Sequence, residues 1–290
     1  MAARRARARL APLPELRQRY LVEGAALPAG FLTTLEKDGR DGALKLAAAL
    51  RKRQAENRAE GQRLRHMLKF ETELWAEGYQ QIAGVDEAGM GPCAGPVCAA
   101  AAILPRGYKL KGLDDSKKIL DEGFRDELAA AVKRDAVAWS VAWCSVEEID
   151  TINIYQAGLL AMRRAVEGLK VTPDYVLVDA RKIPLISQPQ RGIIKGDALS
   201  LSIAAGAILA KTSRDHVMNE LDRQHPGYGF ASHKGYPTPD HLAAMEKLGV
   251  IDAHRKTWAP VRKVLGLIPE QQELFAVAPQ RTAAPTRRHS

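Results

Sequence analysis

The sequence predicts an α/β fold that carries a helical N-terminal extension. From residue 81 onward, short apolar runs that end in acidic residues alternate with stretches of helical period. Residues 43–75 contain strong helix formers and no proline. With 290 residues and a hydrophobic content of 46%, the chain has enough apolar surface for a large core. We therefore expect a basic helical extension over residues 1–80, a main domain over 81–268 that ends in helices, and a disordered tail over 269–290.

The basic side chains are concentrated in the extension. Of 43 Lys and Arg and 34 Asp and Glu, residues 1–80 hold 16 basic and 10 acidic side chains, whereas residues 81–268 hold 24 and 22. A basic segment of this kind favours a polyanionic partner. Two interpretations of the helix over 43–75 stay open, an arm that grips phosphates or a solvated helix that packs on the main domain. The packing residues would be Leu64, Met67, Leu68 and Leu74.

Cysteine usage and hydropathy exclude several classes of protein. Cys93, Cys98 and Cys144 have neither the spacing of a zinc site nor that of a disulfide framework, so we expect buried thiols in a reducing compartment. No run of about 18 apolar residues predicts a membrane span, and the cytoplasm is the expected location. The first ten residues are rich in Arg, and an organellar presequence is the alternative that stays open for them.

The first candidate site lies between two apolar runs, residues 82–85 and 97–104. Asp86 and Glu87 follow the first run and precede a glycine-rich loop, which places two carboxylates at the rim of a buried sheet. A buried anion needs a partner, and Mg²⁺ prefers oxygen ligands of this type. A strand end whose acids are merely solvated is the alternative.

A second candidate follows at residues 113–120, where Ser116 precedes Lys117 and Lys118 in a loop that enters a helix. A hydroxyl and two ammonium groups at a helix N-terminus can receive a phosphate. Ser116 could instead only cap that helix. Residues 136–146 are then expected to form a strand and residues 147–169 a helix.

Two further acids follow later apolar runs. The strand predicted over residues 174–179 ends at Asp179, and Asp197 precedes a long helix predicted over 198–224. Acids at the carboxyl ends of strands lie where α/β sheets bind ligands. Taken alone, Asp197 reads as the N-cap of its helix. Together with Asp86 and Glu87, the set has the composition that two metal ions need for phosphodiester hydrolysis.

Six motifs occur in a fixed order along the main domain. They are D-E-A-G-x-G-P at 86–92, D-S-K-K at 115–118, V-D at 178–179, K-G-D-A at 195–198, A-K-x-x-R-D at 210–215 and P-G-Y-G-F-A-x-H-K-G-Y at 226–236. In order and spacing these motifs resemble those of ribonuclease HII, the type 2 ribonuclease H. The resemblance covers residues 81–264, and the helical extension resembles that of some family members more loosely.

The resemblance implies a ribonuclease H-like fold, a mixed sheet flanked by helices. We expect a monomer. It also implies endonucleolytic cleavage of RNA paired to DNA and of single ribonucleotides embedded in duplex DNA, on the 5′ side of the ribonucleotide, which leaves a 3′-hydroxyl and a 5′-phosphate. The implied cofactors are two Mn²⁺ or Mg²⁺ ions. Asp86, Glu87, Asp179 and Asp197 fall on the four metal-binding acids of the family.

The implied substrate contacts come from two distant parts of the chain. Gly89, Met90 and Gly91 fall on the tripeptide that reads the 2′-hydroxyl, the group that distinguishes RNA from DNA. Tyr236 falls on the tyrosine that stacks against the sugar next to the junction. Met90 departs from the family, which usually has Arg there. Ala207 stands where a serine is usual, and Met90 in particular predicts weakened junction recognition.

Lys117, Lys118, Lys211 and Arg214 are the candidate phosphate contacts. For each, a surface charge is the alternative, and Lys211 can pair with Asp215 one helical turn away. Two other functions stay open for the whole chain. One is ribonuclease HIII, which resembles this family but has a β-rich N-terminal domain. The other is a non-catalytic nucleic-acid binding module of the same fold, which would not need four acids where phosphates approach.

Overall fold

The computed structural model describes residues 10–268. The Arg-rich start and the tail predicted over 269–290 lie outside the described residues. None of the helices in residues 10–268 combines the length and apolarity that a bilayer crossing requires.

The N-terminal extension is helical, as predicted. Its elements are α1 at Leu13–Arg17, continued by a π-helical turn at Gln18–Val22, α2 at Phe31–Asp38, α3 at Asp41–Met67 and α4 at Lys69–Ala76. The single helix predicted over 43–75 is two helices, because Leu68 leaves helical geometry at φ −90° and ψ 12°. The first part of the extension has a small core of its own, formed by Leu16, Tyr20, Leu35, Leu46 and Leu50.

The second part of the extension packs on the main domain. Leu64, Met67 and Leu68 belong to a core that lies against the central sheet. Glu71 on α4 is buried, and its Oε1 accepts hydrogen bonds from Ser200 Oγ at 2.6 Å and Ser202 N at 3.0 Å. The alternative in which the helix packs through its apolar residues therefore holds for residues 64–74. The boundary at residue 80 stays a prediction, since α3 spans both cores.

The centre of the main domain is a mixed five-stranded sheet. Its strands are β1 at Ile82–Ala88, β2 at Val97–Ile103, β3 at Ala138–Cys144, β4 at Tyr175–Asp179 and β5 at Gln190–Ile193. The spatial order is β3-β2-β1-β4-β5, with β1 antiparallel to β2 and parallel to β4. The strands β2 and β3 are antiparallel, and β4 and β5 are parallel. This arrangement confirms the predicted fold class.

Helices cover both faces of the sheet and form the C-terminal part. They are α5 at Glu122–Asp135, α6 at Val146–Ile152, α7 at Ile154–Glu167, α8 at Gly196–Leu199, α9 at Leu201–Gln224, α10 at Phe230–His233, α11 at Pro239–Leu248 and α12 at Ala259–Val264. The core on one face includes residues of α7, and the core on the other includes residues of α5 and α9. Cys93, Cys98 and Cys144 are free and buried, as predicted.

Two of the predicted helices are interrupted. The helix predicted over 147–169 breaks at Asn153, which adopts φ 68° and caps α7 by accepting hydrogen bonds from the amides of Tyr155 and Gln156. The helix predicted over 198–224 begins at Leu201, and its N-cap is Ser200, whose Oγ accepts from Ile203 N.

The close approach of α9 to the sheet depends on glycine. A Cβ on Gly84 of β1 would lie 2.0 Å from the carbonyl carbon of Ser202, and one on Gly206 would lie 3.0 Å from the Ala100 carbonyl oxygen. Residues 99–102 of β2 are all alanine and fully buried. Small side chains on both surfaces therefore let the helix backbone rest directly on the strands that carry the acids.

Candidate active site

The four predicted acids lie at one end of the sheet, near the carboxyl ends of the parallel inner strands β1 and β4. Val85 pairs with Val178 across the parallel strands β1 and β4, so the next residues, Asp86 and Asp179, lie side by side on neighbouring strands. Asp197 lies in α8, which follows β5, the other neighbour of β4. Asp86 and Asp197 are buried, whereas Asp179 is half-buried.

Asp86 and Glu87 are neighbours on β1 with different partners. Asp86 Oδ1 accepts a 2.7 Å hydrogen bond from the Glu87 amide. Glu87 Oε1 lies 3.2 Å from Arg181 Nη2, and Glu87 Oε2 is buried without a hydrogen-bond partner. One oxygen of this pair is thus left for a group that the protein does not itself supply.

Asp179 and Asp197 are each held by one contact. Asp179 Oδ1 accepts a 2.7 Å hydrogen bond from the Gly196 amide, which ties the end of β4 to the start of α8. Asp197 Oδ2 lies 3.2 Å from Lys117 Nζ. The prediction that Asp197 caps the long helix is wrong, because Ser200 fills that position.

Burial and the neighbouring acids raise the pKa of Asp86 and of Glu87. Burial, followed by repulsion from Glu87, Asp179 and Asp197, raises the pKa of Asp86 well above its usual range. Burial also raises the pKa of Glu87, although the Arg181 guanidinium counteracts part of the effect. Burial opposes the charge on Lys117, but Asp197 outweighs it and raises the pKa of that ammonium. Such a cluster of carboxylates is stabilised by added positive charge.

The donor set fits a hard divalent cation. Four carboxylates offer only oxygen ligands, which suit Mg²⁺ and Mn²⁺, and the unpartnered Glu87 Oε2 is one free ligand atom. Across residues 10–268, however, no three His, Cys, Asp or Glu side chains already stand in a metal-binding arrangement. Asp179 is hydrogen-bonded to the Gly196 amide, and Asp197 is paired with Lys117.

The structure brings the glycine tripeptide and Tyr236 together. Gly89 has φ +97°, a conformation that favours glycine, and a Cβ on Gly91 would lie 3.1 Å from Tyr236 Cε1. The Tyr236 side chain is 49% exposed. Within residues 10–268, no acceptor pairs with the amides of Met90 and Gly91. The partly exposed ring therefore lies beside a loop whose Met90 and Gly91 amides have no acceptor in residues 10–268.

Two buried arginines hold the tripeptide's loop from behind. Arg255 is fully buried and donates hydrogen bonds to the carbonyl oxygens of Gly89, Pro92 and Gly95 at 2.6–2.9 Å. Burial, followed by repulsion from Arg214, lowers the pKa of Arg255 to about 9. The three carbonyl groups point inward to the Arg255 guanidinium. Backbone amides of the same loop can therefore point outward.

Arg214 has a different place from the one predicted. Its guanidinium is buried and donates to the carbonyl oxygens of Pro96, Lys234 and Ala94 at 3.0–3.1 Å. This geometry does not fit a phosphate contact, because the donors are already used inside the fold. Burial lowers the pKa of Arg214.

A chain of buried histidines fixes the backbone at Tyr236. The Tyr236 carbonyl can only accept, so His241 Nδ1 donates to it at 2.9 Å. In its neutral form His241 then accepts at Nε2 from His254 Nε2 at 3.1 Å, and His254 Nδ1 accepts from the Ile251 amide. Burial lowers the pKa of His241 and of His254 to about 4.

The other predicted cations are spread around the site. Lys117 is 78% exposed and reaches Asp197, whereas Lys118 pairs with Asp114 at 3.0 Å. Lys211 pairs with Asp215 at 2.6 Å, the intrahelical alternative given above. Ser116 lies buried in a turn. It caps no helix, because α5 begins later.

The cap of α5 is Asp121, whose side chain accepts from Phe124 N. Arg255 and His241 lie outside the recognised motifs, and no local sequence pattern predicts their roles. For Arg181 there is one local signal in the sequence, because it is a cation two positions after Asp179, the acid that ends β4.

Comparison with protein-family models gives two matches. The model described as Ribonuclease HII matches residues 83–261, and the model described as Ribonuclease HII N-terminal domain matches residues 19–75. Together they cover both the sheet domain and most of the helical extension.

Comparisons with individual proteins indicate the same family as the family models. A relative named Ribonuclease HII, from Myxococcus xanthus (strain DK1622), is 62% identical over 276 residues, which is 93% of this chain and 94% of the relative. The solved ribonuclease H2 from Pyrococcus horikoshii OT3 is similar with a TM-score of 0.55 and 24% identity, over 65% of this chain and 98% of that one. Bst-RNase HIII, solved in complex with Mn²⁺, is similar with a TM-score of 0.53 and 18% identity, over 66% of this chain and 70% of that one. The two structures share the fold.

Proposed function

This chain belongs to the ribonuclease HII family, and on that premise we propose that it cleaves the RNA strand of RNA/DNA hybrids and cuts duplex DNA at single embedded ribonucleotides. The reaction is a metal-dependent hydrolysis of a phosphodiester. Its products carry a 3′-hydroxyl and a 5′-phosphate.

One observation carries this proposal. Four acids lie at the same end of the sheet, beside an open glycine loop: Asp86, Glu87, Asp179 and Asp197. A cluster of buried carboxylates repels a phosphodiester, so it serves a nuclease only with cations present. The raised pKa of Asp86, caused by burial and then by the neighbouring acids, supports a site built for added positive charge.

Asp86, Glu87, Asp179 and Asp197 would hold the Mg²⁺ or Mn²⁺ ions. Two such ions, when bound, activate a water and stabilise the charge on the leaving oxygen. The Gly196 amide orients Asp179 through its 2.7 Å hydrogen bond, and Lys117 restrains Asp197 from the solvent side. These contacts keep both carboxylates at the end of the sheet where the scissile phosphate would lie.

Substrate choice would come from the tripeptide and Tyr236. The amides of Met90 and Gly91 can donate to a ribose 2′-hydroxyl, because no acceptor in residues 10–268 uses them. The exposed Tyr236 ring, in contact distance of Gly91, would pack on the neighbouring sugar. A deoxyribose fits there best, so the two contacts together favour an RNA-to-DNA step.

The two other candidate functions find less support. The helices α1 to α4 and the N-terminal-domain match are unlike the β-rich extension of ribonuclease HIII. A non-catalytic binding module would have no use for four converging acids where phosphates must approach. The buried thiols fit a reducing compartment, and we propose a monomer that acts in the cytoplasm.

The test is a cleavage assay on a duplex that contains one ribonucleotide, with Mg²⁺ or Mn²⁺. The wild-type chain should cut it, and Asp86→Asn should not. Asp86→Asn should still bind the duplex, because the cations that neutralise phosphates lie elsewhere. Cleavage by Asp86→Asn at the wild-type rate would contradict the site.

A further inference from the structure

Arg181 lies two residues after Asp179 and points back to the cluster of acids. Its Nη2 is 3.2 Å from Glu87 Oε1, and the side chain is 21% exposed. The guanidinium lies over the ring of Tyr155, 5.3 Å from the ring centroid. Its Nη1 is buried and has no hydrogen-bond partner in residues 10–268. One corner of the guanidinium is therefore anchored, and another is left without an acceptor.

Arg181 and Met90 share the space above Gly158. A Cβ on Gly158, in the first turns of α7, would lie 2.8 Å from Met90 Sδ and 3.1 Å from Arg181 Nη1. Any side chain at this position would push one of the two away. The glycine thus allows a guanidinium to stand beside the middle residue of the tripeptide.

Met90 itself carries no charge, although arginine is usual at this position in the sequences that this chain resembles. The positive charge beside the tripeptide comes instead from the segment that follows β4. We propose that Arg181 binds a backbone phosphate of the ribonucleotide-containing strand next to residues 89–91, and so supplies the cation that Met90 does not. This inference rests on the proposed function, because it needs that strand to lie across the tripeptide.

The chemistry of the site favours a phosphate as the ligand. Arginine presents a planar fork of N–H donors that matches two phosphate oxygens, and 21% of the Arg181 side chain is exposed to such a ligand. Tyr155 is 53% exposed and supports the guanidinium from one side. A cation here would also offset the repulsion between the strand and the acids beside it.

The decisive experiment measures binding without cleavage. A labelled duplex with one ribonucleotide is titrated in EDTA over a range of KCl concentrations with the wild type, Arg181→Met, Arg181→Lys and the double variant Met90→Arg/Arg181→Met. The control is Arg163→Met. Arg163 lies on α7 and is 30% exposed, and its buried Nε lies 3.4 Å from Glu167 Oε1 without forming a hydrogen bond.

If Arg181 contacts a phosphate, Arg181→Met should weaken binding and lower the slope of log affinity against log salt by about 0.9. Arg181→Lys keeps the charge and should keep the slope. The double variant should recover the slope, because the charge returns to the tripeptide. Arg163→Met should leave the slope unchanged, and melting temperatures should show that every variant is folded.

An unchanged slope in Arg181→Met, or an equal change in Arg163→Met, would overturn the inference. Steady-state kinetics with Mg²⁺ give a second criterion. A higher KM with kcat retained supports phosphate binding, whereas a lower kcat with KM unchanged would mean that Arg181 only holds Glu87, and would overturn it. The binding series decides on Arg181 by itself, so a wild-type chain that binds but never cuts would contradict the proposed function separately.

Discussion

Tyr236 is the residue whose role in substrate choice can be isolated. Its ring lies next to Gly91, half exposed, while its carbonyl is fixed by His241. A stacking contact with a sugar or base is worth about 1–3 kcal/mol. We expect Tyr236→Ala to reduce cleavage at a lone ribonucleotide more than cleavage of a long RNA/DNA hybrid, where no deoxyribose lies next to the cut.

Tyr236→Phe is the matched control, since it keeps the ring. It should cut both substrates nearly as well as the wild type. An equal loss on both substrates in Tyr236→Ala, together with a lower melting temperature, would mean that Tyr236 is only a packing residue.

The histidines behind Tyr236 give the protein a specific acid sensitivity. The pKa of His241 and of His254 is lowered to about 4 by burial, against about 6.5 in an unfolded chain. Below pH 6.5 the two histidines bind protons in the unfolded state but stay neutral in the folded state. The free energy of unfolding therefore falls as the pH drops from 6.5 to 4. The slope is about 1.4 kcal/mol per pH unit for each ring.

Denaturant titrations between pH 7 and pH 5 measure this loss, and comparison with a histidine variant separates it from the titration of the buried acids Asp86 and Glu87. Replacing His254 by Gln removes one titrating ring and should flatten the dependence. A pH dependence that is the same in His254→Gln as in the wild type would contradict the neutral tautomers assigned to the pair.

Single residues also mark the limit of what the sequence predicted. Asp86, Glu87, Asp179 and Asp197 could be found because acids that follow apolar strands form a local pattern. Arg255 could not, because it contacts a loop 160–166 positions earlier in the chain, through carbonyls that every residue has. Arg214 was predicted with the wrong role for the same reason, since its motif shows its place in sequence but not the direction of its side chain.

At the level of secondary structure, the contact between β1 and α9 carries the site. A Cβ at Gly84 would lie 2.0 Å from the Ser202 carbonyl carbon, and the Ser202 amide is held by Glu71. Gly84→Ala should lower the free energy of unfolding by ~1–3 kcal/mol, because neither the β1 backbone nor the α9 backbone can move away freely. Thermal or denaturant unfolding measures the change.

Gly61 provides the matched control on α3. A Cβ there would meet only Arg65 Nη1, at 3.8 Å. Gly61→Ala should therefore raise the free energy of unfolding by ~0.5–1 kcal/mol through helix propensity. If Gly84→Ala were as well tolerated as Gly61→Ala, the close packing of α9 on the sheet would be wrong.

The helices were predicted correctly in kind and less well in their limits. Periodicity indicated each long helix, but the breaks at Leu68, Asn153 and Ser200 depend on tertiary contacts. Asn153 leaves helical geometry to cap α7, and Ser200 leaves it to cap α9 and donate to Glu71. A helical pattern in sequence continues across such a residue, because the apolar positions on both sides still point to the same core.

For the whole molecule, the open question is what the basic extension adds. Residues 1–54 contain 12 basic and 5 acidic side chains and the small separate core, whereas Leu64, Met67 and Glu71 pack on the main domain. Deleting residues 1–54 should leave a folded, active chain with weaker substrate binding and a flatter salt dependence, since fewer counterions are released.

Deleting residues 1–75 is the contrasting variant. It removes Glu71 and exposes the core beneath α3 and α4, so it should lower the melting temperature strongly. If the shorter deletion changed neither the affinity nor its salt dependence, the extension would act through packing alone.

The position and chemistry of the cut bear most strongly on the proposed function. A duplex with one ribonucleotide, labelled at either end, is incubated with the full chain and Mn²⁺ or Mg²⁺, and the product ends are mapped. We expect a single cut on the 5′ side of the ribonucleotide, which leaves a 3′-hydroxyl on one fragment and a 5′-phosphate on the ribonucleotide. No cut, a cut on the 3′ side, or a product that ends in a 2′,3′-cyclic phosphate would contradict metal-dependent hydrolysis at Asp86, Glu87, Asp179 and Asp197.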